Sequence, residues 1–339
     1  ENAALLADVY AEPTTAPAVQ ADSFSGAGTS VQGSKTFHVA SVEAYSSWTT
    51  AASGYTMEAL GPDYLSEGLY YRASGEDPWK SEIPQTFTTL YVKTAGDNTV
   101  MTAEQMKAVA DAVKALAAPA TVDFSEVVYE SETFPNSFKS NANLAGIVFP
   151  QNVTKTASAA FQKTGMTSVT LLKGISYGSN AFDSCASLVS VTVEEGVTEI
   201  GNYMFQNTKL TDVTLPNSVT KIGASAFNGC SLTTINFGQG VKTIENSAFQ
   251  NCGELTEIIL PDATETLGQN AFGDCPKLAK ISLGKNMKTL EAYCFVGYSK
   301  GCPLLGDIIC RATTPPTLKD DYGTGPFGGG WSPVAGKDV

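Results

Sequence analysis

The chain has little histidine, an excess of acid over base and no long apolar run. Its 339 residues include one histidine, His38, and 34 acidic against 21 basic residues, for a net charge of -13. A single histidine leaves few ways to build a histidine-ligated zinc site or a nucleophile–histidine pair, and we expect His38 to be a half-buried strand residue. The negative field repels phosphate backbones, which argues against nucleic acid as a partner. No stretch approaches the roughly 20 consecutive apolar residues of a membrane span.

Sequence motifs of catalysis and of cofactor binding are also missing. The chain has no D-x-D calcium loop, no Walker-type glycine loop and no G-x-S-x-G elbow. Its 7 cysteines form no C-x-x-C pair, so neither a zinc ribbon nor a thioredoxin-type centre is supported. We therefore expect no enzyme activity, no cofactor and no metal site.

A repeat of 22 to 23 residues is the strongest pattern present. Phenylalanine, usually after alanine, recurs at positions 161, 182, 205, 227, 249, 272 and 295. The pattern L-x-x-[VI]-x-[LVF] keeps the same phase, and its first residues are Leu144, Met166, Leu188, Leu210, Leu232, Leu255 and Leu278. Two markers that share one period over about 150 residues are typical of stacked repeats.

One unit, LTDVTLPNSVTKIGASAFNGCS, shows how a coil is built. Val213 and Leu215 alternate with polar residues, which is the pattern of a short strand with one buried face. Pro216 ends the strand, and Ile222 and Phe227 point inward again, the latter in a turn or a short helical piece. Each coil carries about six apolar side chains, worth roughly 1.5 to 3 kcal/mol apiece once a neighbouring coil covers them.

Stacking in register predicts a right-handed solenoid of about nine coils over residues 121–315, with a parallel sheet along one side. The predicted strands lie near 122–124, 147–149, 169–171, 191–193, 213–215, 235–237, 258–260, 281–283 and 308–310.

The unit resembles the BspA-like leucine-rich repeat, whose consensus is close to L-x-x-I-x-L-P-x-S-V-x-x-I-G-x-x-A-F-x-x-C. The match is fullest in LTDVTLPNSVTKIGASAFNGC and LTEIILPDATETLGQNAFGDC. Cys294 departs from it by replacing the alanine before Phe295, and YSKGCP adds four residues. The resemblance implies a leucine-rich-repeat solenoid of short parallel strands, turns and short helical pieces, in a bacterial cell-surface protein.

Five cysteines share one phase of the repeat: Cys185, Cys230, Cys252, Cys275 and Cys302. Adjacent coils bring such residues close enough for disulfides in principle. A ladder of small buried thiols is the simpler interpretation.

The N-terminal third predicts a flexible tether over 1–34 and a small α+β or α/β capping domain over 35–120. Strands are expected in KTFHVAS, LYYRAS, TFTTLYVKT and TVDFS, with a short helix in VEAYSSWTTAA and a capped helix at 102–117. A Gly/Pro-rich tail follows over 316–339. The chain begins at Glu1 without methionine or an apolar leader, so we expect that a targeting segment was removed or left out. A cysteine after such a leader would mark an outer-membrane lipoprotein.

Residues that point out of the strands form the concave surface of a leucine-rich-repeat protein, and they are the candidate binding surface. These residues are Ser168, Thr170, Ser190, Thr192, Asp212, Thr214, Thr234, Asn236, Glu257, Ile259, Lys280 and Ser282. The set is rich in hydroxyl groups and has no aromatic residue, and this absence argues against a sugar-binding function for the surface. Serine and threonine also suit exposed strand positions without any binding role.

Binding is therefore the predicted function, at the cell surface or in the extracellular space. By resemblance, the partners are host matrix proteins, glycans or other bacterial surfaces, and the oligomeric state stays open. A second hypothesis is a carbohydrate-processing enzyme or accessory whose N-terminal acids lie near Trp79: Glu58, Asp63, Glu67, Glu76 and Asp77. A third is a structural spacer that binds nothing.

Overall fold

The computed structural model describes residues 8–11, 36–39, 56–59, 68–96, 99–296, 301–319 and 326. The short helix expected in VEAYSSWTTAA lies outside the described residues, as do most of the predicted tether and tail. In chain order the strands and the helix are β1 Asp8–Ala11, β2 Thr36–Val39, β3 Thr56–Ala59, β4 Gly68–Arg72, β5 Thr89–Ala95, α1 Ala103–Ala115, β6 Ala120–Glu126, β7 Thr133–Phe134, β8 Leu144–Val148, β9 Lys155–Thr156, β10 Ser168–Leu171, β11 Ser190–Val193, β12 Glu199–Ile200, β13 Asp212–Thr214, β14 Lys221–Ile222, β15 Thr234–Asn236, β16 Thr243–Ile244, β17 Glu257–Ile259, β18 Thr266–Leu267, β19 Lys280–Leu283, β20 Thr289–Leu290, β21 Asp307–Cys310 and β22 Thr317–Leu318.

The first three strands form a parallel sheet in the order β1-β2-β3. Strand β1 falls within the segment predicted as a tether, where no strand was expected. Strand β2 is the predicted KTFHVAS strand, and it includes His38.

A second sheet has the order β4-β5-β6-β8 and joins the N-terminal region to the first coil. Helix α1 connects the parallel strands β5 and β6, so this segment is a strand–helix–strand unit. The predicted capping box is present: the Thr102 hydroxyl accepts a hydrogen bond from the Gln105 amide, and the Gln105 side chain accepts one from the Thr102 amide. The apolar stripe of the helix, which includes Met106 and Val113, is buried against the sheet core.

The predicted solenoid is confirmed. Nine strands lie along one side of it and delimit eight turns: β6, β8, β10, β11, β13, β15, β17, β19 and β21. The strands pair in parallel and in register, as in Val213 opposite Ile235. Beyond β8 their hydrogen bonding divides them into sheets of two, two and three strands rather than one continuous sheet.

The continuous sheet runs along another side, which the sequence analysis did not predict as strands. It has the order β12-β14-β16-β18-β20-β22, with two residues in each strand. Ile222 lies between Ile200 and Ile244 in the neighbouring coils, and all three side chains are buried. This column of inward residues adds a second wall to the core.

The segments around the repeated phenylalanines are hydrogen-bonded turns rather than short helices. The amides of Tyr203 and Phe205 donate to the carbonyls of Ala224 and Ala226 in the next coil, each at 2.8 Å. The amides of Met204 and Gln206, which alternate with them, donate to the carbonyls of Gly201 and Tyr203 in the same coil, each at 3.3 Å. A helix would use all these amides within its own coil, so the alternation leaves half of them to join adjacent coils.

The phenylalanines stack along the solenoid axis. From Phe161 to Phe272 each ring lies 5.2 to 5.7 Å from the next, with interplanar angles of 4 to 20°. All of these rings are buried, as is Phe295 in the following coil. Each ring is therefore covered by the coils on either side.

The cysteines are free thiols, as the simpler interpretation predicted. The thiol of Cys230 donates to the carbonyl of Phe205 at 3.1 Å, and that of Cys252 donates to the carbonyl of Phe227 at 3.3 Å. Thr208 occupies the same position in its own coil, where its hydroxyl donates to the Phe205 carbonyl at 2.9 Å. The position therefore selects a small side chain that can donate to a phenylalanine carbonyl.

Candidate binding face

The outward side chains of the solenoid strands form a surface that we call the strand face. It contains the twelve residues predicted as the binding surface. Ten of them are exposed, whereas Lys280 and Ser282 are half-buried. The strand register places the residues in two columns, with Ser168 beside Ser190 in one and Thr170 beside Thr192 in the other.

A fixed carboxylate lies in the middle of the strand face. Asp212 accepts hydrogen bonds from the hydroxyls of Thr234 at 2.6 Å, Thr211 at 3.0 Å and Thr233 at 3.4 Å. These hydroxyls, that of Thr234 above all, lower the pKa of Asp212 below its ordinary value. The carboxylate is therefore held in one orientation and stays charged.

Towards the C-terminal end of the columns, the strand face has an ion pair and an exposed apolar side chain. Lys280 lies 2.9 Å from Glu257 in the next strand, and this contact raises the pKa of Lys280. Ile259 is 60% exposed and lies beside Ser282, which in turn lies beside Ile309. Along its length, the strand face therefore presents hydroxyl groups first, then charged groups and then exposed apolar side chains.

Half of the predicted residues line one groove with a volume of about 570 Å³. They are Asp212, Thr214, Thr234, Asn236, Glu257 and Ile259. Asp262 and Arg311 border the groove where the strands end. The other half of the set lies outside it on the same columns.

Arg311 was missed by the sequence analysis. It donates from Nε to the carbonyl of Leu283 at 3.1 Å and from Nη2 to the carbonyl of Leu260 at 2.9 Å. Its Nη1 lies 3.2 Å from Asp262. One side chain thus fixes the ends of two earlier strands, and the only sequence signal was a lone arginine after the strand in CRATTPPTL.

Of the five acids behind the enzyme hypothesis, the structure describes the side chains of Glu76 and Asp77. Glu76 and Asp77 are exposed in a turn after β4. Glu58 lies in β3, and Asp63 and Glu67 fall outside the described residues. Within the described ranges, no group of three or more histidine, cysteine, aspartate or glutamate side chains is arranged to hold a metal ion. In those ranges no helix has the length and hydrophobicity of a membrane span.

The family model for the BspA type leucine rich repeat region matches residues 128–177 and 175–301, in six copies. Among solved structures, a leucine rich cell surface protein from Faecalibacterium prausnitzii A2-165 is 22% identical, with a TM-score of 0.41, over 57% of this chain and 60% of that chain. A leucine-rich repeat protein from Eubacterium ventriosum ATCC 27560 is 21% identical, with a TM-score of 0.35, over 61% and 69%. The pneumococcal vaccine antigen PcpA is 17% identical, with a TM-score of 0.36, over 67% and 78%. The chain thus spans less than two thirds of the Faecalibacterium chain, and a comparison with curated proteins gives no match.

Proposed function

The chain belongs to the BspA type leucine-rich-repeat family, and on that premise we propose that it is a binding protein of the bacterial cell surface that holds an extracellular macromolecule on its strand face. The partner would be a matrix protein, a glycan or another bacterial surface. The protein would bind without chemical turnover, and a lipoprotein anchor is part of this proposal.

The groove on the strand face is the observation that carries the proposal. Six exposed side chains from three strands converge on it, and the Asp212 carboxylate within it is oriented by three hydroxyls. Groups that are held before a ligand arrives lose little conformational entropy on binding. The register of the columns repeats such contacts over several coils, which suits an elongated ligand.

Retention on an immobilised panel of extracellular-matrix proteins and mucins tests the proposal. We expect the unmodified chain to bind at least one member of the panel. The double variant Thr214→Arg and Asn236→Arg should weaken that binding at least about tenfold, because it places two long cations in the groove.

A matched control is Thr198→Arg, at an exposed position just before β12 on the other sheet. This variant adds the same side chain away from the strand face, so binding should be kept. Equal retention of the double variant and the unmodified chain would show that the strand face is not the binding surface. Failure of the folded protein to bind any member of the panel would instead favour a structural spacer.

A further inference from the structure

The strand face does not stop at the first coil, because its columns continue across the N-terminal sheet. Thr121 lies opposite Gly146, and Tyr91 lies opposite Asp123. A second groove of about 430 Å³ is lined by Thr121, Gly146 and Ser168 together, so the side chains of β6, β8 and β10 open onto one surface. With β4 and β5 included, the face crosses eleven strands, or roughly 50 Å at about 4.8 Å per strand.

Aromatic and cationic side chains occupy the N-terminal end of this face. Arg72 pairs with Tyr91 in the antiparallel ladder between β4 and β5, and the residues that alternate with them, Tyr71 and Val92, are buried. The Arg72 guanidinium carbon lies 4.2 Å from the ring centre of Trp79 and 5.3 Å from that of Tyr91. The solenoid columns have no aromatic residue, so this end differs from the rest of the face.

Arg72 is held by these rings and has few hydrogen bonds. Its Nε is buried without a hydrogen-bond partner, and its Nη2 lies 3.9 Å from Glu126, which is longer than a hydrogen bond. Glu126 instead approaches Lys93, at 3.1 Å. A guanidinium whose terminal donors lack close acceptors is suited to a planar carboxylate, which it can bind through two parallel hydrogen bonds.

We propose that Arg72, Trp79, Tyr91 and Lys93 form a subsite for a carboxylate-bearing sugar residue, such as a hexuronate, at the end of the strand face. The sugar carboxylate binds the terminal donors of Arg72 and competes with Glu126 for Lys93. The C–H face of the sugar ring packs on an aromatic side chain. This inference rests on the proposed function and specifies one ligand class for it.

Ring contacts favour an acidic glycan over an acidic peptide. Either ligand could satisfy the cations. Only the sugar can also pack its ring on Trp79. The ring centre of Trp79 lies 4.2 Å from the guanidinium carbon of Arg72 and 5.7 Å from the amino nitrogen of Lys93. An aspartate or glutamate side chain has no ring face to pack there. Binding to this subsite therefore depends on the ring and on the charge at once.

Titration of the full chain with polygalacturonate and with hyaluronan tests the subsite. Methyl-esterified polygalacturonate keeps the sugar ring and removes the charge, and polyglutamate keeps the charge and removes the ring. We expect the ester and polyglutamate each to bind at least about tenfold more weakly than polygalacturonate. Arg72→Gln and Trp79→Ala should each cause a similar loss, whereas Thr198→Ala, at an exposed position outside the strand face, should not.

Fluorescence gives a readout that does not depend on unfolding. The chain has three tryptophans, and the uronate-dependent change in emission should vanish in Trp79→Phe. Circular dichroism and thermal melting verify that each variant is folded. Equal affinity for polyglutamate, unchanged binding by Arg72→Gln, or no binding of either uronate polymer would each overturn the subsite. Each of these outcomes would leave binding to the matrix and mucin panel through the groove intact. The subsite proposal and the proposed function can therefore be falsified independently.

Discussion

The ring of Phe249 lies parallel to the ring of Phe272 in the next coil, with centroids 5.2 Å apart and an interplanar angle of 4°. Both side chains are completely buried. Neither coil could bury its own ring alone, because the covering surface comes from the neighbours on each side. The aromatic ladder is thus the link between the 22 to 23 residue period and the stability of the fold.

Phe249→Ala should lower the free energy of unfolding by about 3–5 kcal/mol, because it removes a ring from the middle of the ladder and leaves a cavity. Urea unfolding followed by circular dichroism measures the change. Phe249→Leu fills most of the space and should cost less. A loss below about 1 kcal/mol for the alanine variant would show that the stacked rings contribute little to the stability of the solenoid.

Gly238→Ala should destabilise the protein by about 1–3 kcal/mol or more, because coils approach too closely there for a side chain. A β-carbon at Gly238 would lie 2.1 Å from the carbonyl oxygen of Pro216 in the preceding coil. Gly253→Ala is the matched control, since a β-carbon there would meet nothing within 4 Å. Thermal melting should separate the two variants, and equal melting temperatures would contradict the close approach.

Thiol labelling should proceed in two stages. Cys310 is exposed and should react first, whereas Cys230 is buried and burial raises its pKa to about 11. At pH 8 only about 0.1% of such a thiol is ionised. The five buried thiols should therefore react only on unfolding. Cys302 is half-buried and its hydrogen bond with Cys275 lowers its pKa, so Cys310→Ser combined with Cys302→Ser should remove the fast stage. Recovery of fewer than seven thiols from the denatured, unreduced chain would indicate disulfides.

Thr234→Ala should raise the pKa of Asp212 towards its ordinary value, because the shortest hydrogen bond to the carboxylate is lost. Thr234→Ser keeps the hydroxyl and should preserve the low pKa. Carboxyl-carbon NMR during an acid titration measures both. A lowered folded-state pKa means that the contribution of Asp212 to stability is present above its unfolded pKa and is lost as pH falls through the folded pKa. An unchanged Asp212 pKa in the alanine variant would show that Thr234 does not hold the carboxylate.

The repeat made most of the fold predictable from sequence. The strand expected near 213–215 is Asp212–Thr214, and the helix expected at 102–117 is Ala103–Ala115. Alternation in the strand and the capping box in the helix are local signals, so they can be read without tertiary contacts.

What could not be predicted depends on contacts between distant segments. The strands of the continuous sheet have two residues each, too few to show a period, and Ile222 was predicted only to point inward. Arg311 reaches the carbonyl of Leu260, 51 residues away. Tyr91 joins the strand face only through the register of β5 with β6. For this reason the aromatic end of the face could not be predicted from the sequence.

Hydrogen–deuterium exchange of the free protein and of its complex with a retained partner tests the binding face most directly. We predict that a bound partner protects β13, β15 and β17, together with the segment that contains Arg311. The turns around Phe205, Phe227 and Phe249 should exchange at the same rate with and without the partner. Protection confined to those turns, with β13, β15 and β17 unchanged, would contradict recognition through the strand face.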